Sequence, residues 1–325
     1  MIDPTKVLPI KHIKTSIEEA KENINLERSG KQLGLYCRFS GINRAMLKYW
    51  RFGQVTLLAG MSSGGKSTLL NMLEDDFTNP EMNKNCEYKV LILGFKYEMS
   101  GSDEVLRNIS GKMDTSYSNL LSAEPDKNGK YNIISDEEFE TISIKLNTLK
   151  DRMIFYVETN GDLTQLWETY LTMKKKYSDY KFVITIDHTL LSKKLGEKND
   201  MELMQNTGLL AIRLRKQGEM VILIGQLNGN IEENTRRENP TLHYPIKTDV
   251  HCGNQVFWAC NNVILYHRPE LLGIKKYGVE KRDSKKLIHL AYIKQRFGKI
   301  GNIWLQENFS RGQINEFPAI NVPTK

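Results

Sequence analysis

The sequence has no long hydrophobic run. Although 40% of its 325 residues are hydrophobic, no stretch approaches the roughly 18 consecutive apolar residues that a membrane helix requires. The first residues include charges and no apolar core followed by a small-residue cleavage site, so we expect no secretory signal. Cysteine is scarce, and the four thiols lie far apart without the paired spacing of metal ligands: Cys37, Cys86, Cys252 and Cys260. Because scattered cysteines in a chain of this size indicate reduced thiols, we expect a cytoplasmic protein.

An excess of acidic residues is also absent. The net charge is +7 and the isoelectric point is about 9.0, which favours a polyanionic partner such as nucleic acid. The lysines are spread along the chain rather than massed in one tail, so the charge fits an ordinary solvated surface equally well. The length allows one large or two small domains with a substantial core.

From residue 54 onward, short β-rich runs alternate with helical patterns. Several runs are apolar without alternation, as is typical of strands covered on both faces. The predicted strands span residues 54–59, 89–95, 152–157, 181–187, 219–226, 261–268, 285–296 and 300–307. Helical patterns cover 135–151 and 162–179, whereas 124–132 is typical of an exposed loop. The repeated strand–helix units predict an α/β fold with a mostly parallel central sheet flanked by helices, followed by a C-terminal antiparallel extension.

A short amphipathic helix is predicted ahead of this α/β region. Ser16 and Glu19 have the spacing of a capping box, and Ile17, Ala20 and Ile24 share one helical face. Such a helix either packs on the core of its own chain or acts as a linker that docks on a neighbouring subunit.

The segment GMSSGGKS, which begins at Gly60, matches the phosphate-binding pattern G-x-x-x-x-G-K-[ST]. It follows a predicted strand and precedes helical residues, a context in which successive backbone N–H groups face phosphates at a helix N-terminus. Lys66 is expected to reach the β- and γ-phosphates, and the Ser67 hydroxyl to bind Mg²⁺. The alternative is a glycine turn with an incidental lysine. The predicted nucleotide-binding residues are Gly60, Ser62, Ser63, Gly64, Gly65, Lys66, Ser67 and Thr68.

Two carboxylates stand at or just beyond the ends of apolar strands. Asp187 ends the run 181–187 and suits the metal shell that such a nucleotide site needs, although an aspartate there is also typical of a turn or helix cap. Glu98 lies just beyond the run 89–95, where it could orient a water molecule towards a bound nucleotide. It could equally be a charge at the start of a helix.

Three further polar residues are candidates for sensing or completing the site. Gln226 ends the run 219–226, so its amide could detect the γ-phosphate and pass that information to the following loop, or simply satisfy loop backbone. Lys294 and Arg296 are two apart on a predicted strand, so both side chains are expected on one face. They could clamp a neighbouring subunit's phosphates, or form an ordinary solvated strand face.

The order of these motifs resembles the RecA-fold ATPase domain of the DnaB-type hexameric replicative helicases. The family's SLEM-like sequence and Arg-containing helix match KYEMSGSDEVLR, its IDYLQL matches ITIDHTLL, its LSQLN matches IGQLN, and its terminal KQRNGxxG strand pair matches IKQRFGKIGNIWL. The resemblance implies a RecA-like P-loop ATPase/helicase domain at 34–315. An N-terminal arm and linker-like helix at 1–33 would precede it, and a tail at 316–325 would follow.

The resemblance also implies ATP and Mg²⁺ as ligands and assigns roles to matching positions. Lys294 and Arg296 are implied to act across the subunit interface, with Arg296 as the arginine finger, a group typically worth about 10³–10⁵ in turnover. The roles implied within one chain are Lys66, Ser67 and Arg107 for the nucleotide, Asp187 for the metal shell, Glu98 as catalytic base and Gln226 as γ-phosphate sensor.

The sequence departs from the family in three places. Only about 50 residues precede the phosphate-binding motif, so we expect the family's separate N-terminal domain to be missing. The loop after Gln226 has His251 where the family usually has arginine, and VFWACNN replaces an acidic EQDAD segment. Salt-sensitive, sequence-blind contacts with DNA phosphates are expected in this loop, the alternative being a solvated surface. The candidate residues are Arg236, Arg237, Lys247 and His251.

The leading hypothesis is a DnaB-like, ATP-dependent DNA helicase that translocates on single-stranded DNA and unwinds duplex during replication. The short chain favours a phage or mobile-element protein acting in the host cytoplasm. Its expected partners are single-stranded DNA, identical subunits in a hexameric ring, and a primase or helicase loader. Two alternatives stay open: a RecA-type recombination ATPase that forms filaments, and an ATP-regulated DNA-binding scaffold that does not unwind.

Overall fold

The computed structural model describes residues 10–317. Residues 1–9 of the expected arm and 318–325 of the expected tail lie outside this range. The α-helices are α1 (Ile13–Arg28), α2 (Ser40–Ala45), α3 (Lys66–Phe77), α4 (Gly101–Met113), α5 (Tyr117–Leu120), α6 (Asp136–Asn147), α7 (Leu163–Lys176), α8 (Asp200–Lys216), α9 (Asn234–Glu238) and α10 (Gly253–Phe257). The strands are β1 (Gly34–Leu35), β2 (Trp50–Arg51), β3 (Val55–Gly60), β4 (Lys89–Lys96), β5 (Ile154–Val157), β6 (Tyr180–Asp187), β7 (Met220–Gln226), β8 (Asn262–His267), β9 (Lys276–Tyr277), β10 (Arg282–Asp283), β11 (Leu287–Gln295), β12 (Gly301–Asn308) and β13 (Gln313–Glu316). No helix within residues 10–317 has the length and apolar content needed to cross a membrane.

A nine-stranded sheet forms the centre of the fold, in the order β13-β12-β11-β8-β3-β7-β6-β4-β5. The strands from β8 to β5 in this order run parallel, and β11, β12 and β13 continue the sheet in antiparallel fashion. The α/β prediction with an antiparallel C-terminal extension is therefore confirmed. The segment 124–132 is exposed and contains no helix or strand, as predicted.

Helices cover both faces of the parallel part of the sheet. All six residues of β3 are buried, and its side chains alternate between two hydrophobic clusters. Leu58 packs with Leu70 and Leu73 of α3, whereas Leu57 lies in the cluster that contains Leu210 of α8. This two-sided burial explains why the central strands are apolar without alternation. One of the covering helices, α8, is not predicted by the sequence patterns.

The N-terminal helix differs from its prediction. It is capped by His12, whose Nδ1 accepts a hydrogen bond from the N–H of Lys14 at 3.0 Å, rather than by Ser16. Its apolar face does not pack on the chain's own core, since none of its residues is buried and Ile17 and Ile24 are 45% and 60% exposed. Of the two readings of this helix, packing on its own core is therefore wrong.

The strand register brings the predicted motif residues to one edge of the sheet. Gly60 pairs with Gln226 across β3 and β7, and Lys96 pairs with Asp187 across β4 and β6. Because these strands are parallel, their carboxyl ends meet at the same edge, where ligands bind in open α/β sheets. Glu98 follows β4 at this edge.

Candidate nucleotide site and DNA-facing loop

The phosphate-binding segment is a tight turn between β3 and α3. Gly65 caps α3 with φ of 99°, a conformation that favours glycine. A Cβ atom at Gly65 would lie 2.2 Å from Cζ of Phe309, and one at Gly60 would lie 2.6 Å from the carbonyl oxygen of Tyr266. Both positions therefore require glycine, and the turn leaves the amino end of α3 open towards the sheet edge.

Lys66 is held inside this turn. Its ammonium donates to the carbonyl oxygens of Gly60 and Met61 at 2.9 and 2.7 Å. Burial lowers the pKa of Lys66, and the nearby carboxylates of Asp187 and Glu98 oppose that shift. The lysine, the strand-end aspartate and the glutamate thus form one electrostatic group, as the motif order predicts.

The two carboxylates differ in exposure. Asp187 is buried, and its Oδ1 has no hydrogen-bond partner among residues 10–317, whereas Glu98 is exposed. The N–H of Tyr97 donates to the carbonyl oxygen of Asp187 at 2.8 Å, so the backbone next to Glu98 is fixed to the end of β6. This arrangement suits Asp187 to a metal shell and Glu98 to a water molecule.

A cavity of about 680 Å³ lies at this edge. It brings together the predicted residues of the phosphate-binding turn from Ser62 to Thr68 with Glu98, Arg107, Asp187 and Gln226. Sequence reasoning did not name the other lining residues: Met99, Asp103, Ser110, Tyr117, His188, Phe309 and Gly312. Met99 and Asp103 lie within the quoted KYEMSGSDEVLR segment, and His188 stands where the family sequence has tyrosine after the strand-end aspartate, so these three carried a signal. The other four come from segments without a motif.

The residues present fit a nucleoside triphosphate with Mg²⁺. The turn supplies backbone N–H groups and the Lys66 ammonium for phosphates. The Ser67 hydroxyl and the unpartnered Oδ1 of Asp187 are oxygen donors of the kind that Mg²⁺ prefers. Arg107 adds a cation at the cavity wall, with Nη2 2.8 Å from Sδ of Met99 and Nη1 3.8 Å from Oε2 of Glu104.

Lys294 and Arg296 are not part of this cavity lining. Lys294 lies on β11, which ends at Gln295, and the N–H of Arg296 continues the pairing by donating to the carbonyl oxygen of Asn261 at 3.0 Å. That the two side chains share one strand face stays a prediction. The Lys294 ammonium donates to the carbonyl oxygen of Phe257 at 2.6 Å. Arg296 lies beyond the strand with an exposed side chain.

The loop after β7 contains the four candidate DNA contacts, and one of them is engaged within the chain. Arg236 pairs with Asp249 at 2.5 Å and donates to the carbonyl oxygens of Leu242 and Tyr244 at 3.0 and 2.7 Å. Its guanidinium therefore stabilises the loop, and a phosphate contact of Arg236 would have to compete with these bonds.

The other three candidates are accessible. Arg237 and Lys247 are exposed, and His251 is partly exposed with Nε2 3.8 Å from a carboxylate oxygen of Asp200. The ammonium of Lys247 lies 4.6 Å from the ring centroid of Phe257. The loop thus presents cations at its surface while Arg236 fixes its interior.

A glycine-rich phosphate turn at the end of a central strand, with carboxylates at the ends of neighbouring strands, defines a P-loop ATPase of the RecA-like class. The family model for the DnaB-like helicase C-terminal domain matches residues 34–316. The chain therefore belongs to the DnaB-like helicase C-terminal domain family, and it is an ATP-hydrolysing DNA helicase of the replicative type.

Solved structures share this fold. One solved ATPase domain aligns with a TM-score of 0.77 at 15% identity, over 95% of this chain and 100% of that chain. A DnaB-like replicative helicase, described with its interactions with primase, aligns with a TM-score of 0.73 at 16% identity, over 95% of this chain and 68% of that chain. No curated protein sequence matches the chain.

Proposed function

We propose that this helicase hydrolyses ATP at sites shared between adjacent subunits of a hexameric ring and uses the energy to move along single-stranded DNA. One observation carries the proposal: Lys66, Glu98 and Asp187 meet at one cavity, whereas the exposed Arg296 is not among the residues that line it. A finger that cannot serve its own cavity can serve the cavity of the next subunit. Head-to-tail contacts of this kind form rings when the rotation between subunits closes, and open filaments when it does not.

Each residue of the proposed site has a separate task in ATP hydrolysis. Mg²⁺ bound with ATP supplies charge neutralisation on the phosphates. Lys66 and the backbone of the phosphate-binding turn hold the phosphates, while Ser67 and Asp187 hold the metal shell. Glu98 orients the attacking water and accepts its proton. Arg296 of the adjacent subunit stabilises the charge that develops on the transferred group.

The route from this site to DNA passes through Gln226. The loop that carries Arg237, Lys247 and His251 is attached directly behind this residue, since the His251 N–H donates to the Gln226 carbonyl oxygen at 2.9 Å. A displacement of the Gln226 side chain is therefore passed to the loop through Gln226 itself. Cations on the loop suit contacts with the phosphates of single-stranded DNA.

The exposed apolar face of α1 supports assembly with identical subunits. Ile13, Ile17 and Ile24 are 66%, 45% and 60% exposed, and a second copy of the chain would remove them from water. A primase or helicase loader is a further proposed partner, and we place the protein in the cytoplasm.

Mixing two inactive variants tests whether sites are shared. Arg296→Ala keeps its own cavity intact, and Glu98→Gln keeps its finger, so each alone should have little ATPase activity in the presence of single-stranded DNA. In a random equimolar mixture about one quarter of the interfaces combine an intact Glu98 with an intact Arg296. Activity should recover towards that fraction, and a mixture as inactive as its components would contradict the shared site.

Strand displacement tests the use of the energy. With ATP and Mg²⁺, the wild-type chain should unwind a duplex that carries a single-stranded tail faster than a blunt duplex. ATP hydrolysis without any tail-stimulated displacement would contradict translocation with unwinding.

A further inference from the structure

Three charged side chains are buried together beneath the nucleotide cavity. Lys96 of β4 has its ammonium nitrogen 2.9 Å from Oε1 of Glu74 on α3 and 3.8 Å from Oε1 of Glu104 on α4. Their side chains are 1%, 1% and 0% exposed. Burying charges is unfavourable unless they are paired and hydrogen-bonded, and a buried ion pair is weak grounds for assigning a purely stabilising role.

Hydrogen bonds extend this cluster to a fourth element. Oε1 of Glu74 accepts from the hydroxyl of Thr185 on β6 at 2.7 Å. Oε2 of Glu104 accepts from the side-chain amide of Asn71 on α3 at 2.7 Å. The Lys96 cluster, defined as Glu74, Lys96, Glu104 and these two partners, therefore joins α3, α4, β4 and β6.

Three of these four elements carry a residue of the nucleotide site, and a fourth site residue lies just beyond β4. Lys66 begins α3, Arg107 lies on α4 three residues after Glu104, and Asp187 ends β6 two residues after Thr185. Glu98 follows Lys96 by two residues. The cluster thus joins the four elements that carry or precede Lys66, Glu98, Arg107 and Asp187.

Lys96 keeps its charge in this environment. Burial lowers the pKa of Lys96, but Glu74 and Glu104 raise it further, so the net shift is upward. With Arg107 3.8 Å from Glu104, two cations face two carboxylates. The SLEM-like sequence of the resembled family has serine at the position of Lys96, so the charge is not a requirement of the strand itself.

We propose that Lys96 is a positioning residue, which through Glu74 and Glu104 sets the placement of Glu98 and Arg107 relative to the phosphate-binding turn. The inference rests on the proposed roles of Glu98 and Arg107 at the nucleotide. Without the Lys96 ammonium, the buried carboxylates of Glu74 and Glu104 have Arg107 as their nearest cation. Their attraction then draws the Arg107 guanidinium away from the cavity, and the end of β4 is no longer held in place.

A charge-balanced double variant separates positioning from stability. Lys96→Met together with Glu74→Gln removes one charge of each sign and keeps the contact between Glu104 and Arg107. We expect a thermal midpoint close to that of the wild type, a kcat for ATP hydrolysis reduced roughly 10- to 100-fold, and a weaker Kd for a fluorescent ATP analogue with Mg²⁺. Wild-type kcat and Kd in a folded double variant would overturn the proposal.

A second variant covers the case in which the double variant does not fold. Thr185→Val is close in shape and removes only the hydrogen bond from β6 to Glu74, so kcat should fall a few-fold with little change in the thermal midpoint. An unchanged kcat there overturns the positioning role independently.

A matched control lies at the opposite edge of the sheet. Lys174 is 3.1 Å from Oε1 of the fully buried Glu219, which directly precedes β7. Lys174→Met should lower the thermal midpoint without changing kcat or Kd. Glu98→Gln serves as the reference for the proposed function. If this variant keeps wild-type ATPase activity, the assignment of Glu98 as the base is wrong. If it is inactive while the double variant is fully active, only the positioning role of Lys96 is rejected.

Discussion

The side-chain amide of Gln226 donates to the hydroxyl oxygen of Ser62 across 3.3 Å. This bond joins the last residue of β7 to the phosphate-binding turn. The backbone on the other side of Gln226 is tied to the loop after β7, because Leu227 also forms an isolated bridge with Val250. A phosphate that competes for Ser62 or for the amide would therefore change a contact that the loop shares.

Replacing Gln226 should uncouple hydrolysis from DNA. In Gln226→Ala the Lys66, Asp187 and Glu98 side chains are retained, so basal ATPase activity should stay within a few-fold of the wild type while its stimulation by single-stranded DNA is lost. The measurement is ATPase rate against DNA concentration. Gln255→Ala on α10, outside the cavity lining, is the control and should keep full stimulation.

Removing the lysine of the phosphate-binding turn should abolish turnover without unfolding the chain. Among residues 10–317 the Lys66 ammonium hydrogen-bonds only to two backbone carbonyls of its own turn, so Lys66→Ala should leave the circular-dichroism spectrum unchanged. Loss of a preorganised cation at the phosphates should reduce kcat by at least about 10²-fold. The exposed Lys145→Ala on α6 is the comparison, and a similar loss there would contradict a specific role for Lys66.

Neighbouring arginines in the loop should behave differently. Arg236→Ala leaves the buried Asp249 without its cation, which should cost about 3 kcal/mol in unfolding free energy. Arg237→Ala removes an exposed cation, so stability should hold and the slope of log affinity for single-stranded DNA against log salt should fall by about 0.7. Urea denaturation and salt titrations of DNA binding separate the two. An Arg237→Ala variant with an unchanged salt slope would exclude this side chain as a phosphate contact.

Stability should decrease in mild acid because of two buried histidines. Burial lowers the pKa of His267 to about 3 and of His289 to about 4, from an ordinary value of 6.5. As the pH falls below 6.5, both histidines become protonated in the unfolded chain but stay neutral in the folded chain. Well below pH 6.5 the free energy of unfolding should therefore fall by about 1.4 kcal/mol per pH unit for each histidine. Between pH 6.5 and pH 5 the total is about 3 kcal/mol, measurable by urea denaturation.

The His267→Phe variant checks the assignment of that loss. It removes one titrating group, so about half of the decrease between pH 6.5 and pH 5 should disappear. A variant with the full wild-type decrease would assign the acid sensitivity to other groups.

Much of the sheet could be predicted because burial on both faces leaves a direct mark on the sequence. The predicted strands 89–95 and 181–187 correspond to β4 and β6 within one residue at each end. The irregularity in β11 between Tyr292 and Lys294 leaves no such mark, so the sequence predicts one unbroken strand there. The alternation of side chains along a strand can be predicted from a sequence only where the strand is regular.

Contacts between distant segments were beyond the reach of sequence patterns. Arg236 looked like a surface cation because its partner Asp249 lies across an irregular loop. Lys96, Glu74 and Glu104 come from three separate elements, and no sequence pattern indicates that they meet. Pairing energies of this kind depend on the folded arrangement and not on local composition.

The wall of the cavity that contains Phe309 is formed late during translation. Phe309 lies against the phosphate-binding turn, and the strand that follows is fastened to α4 by a 2.7 Å hydrogen bond from the Gln313 amide to the Gly111 carbonyl oxygen. During translation the turn leaves the ribosome long before this wall does. A nascent chain therefore completes this wall of the cavity only after β12 and β13 have been added to the sheet.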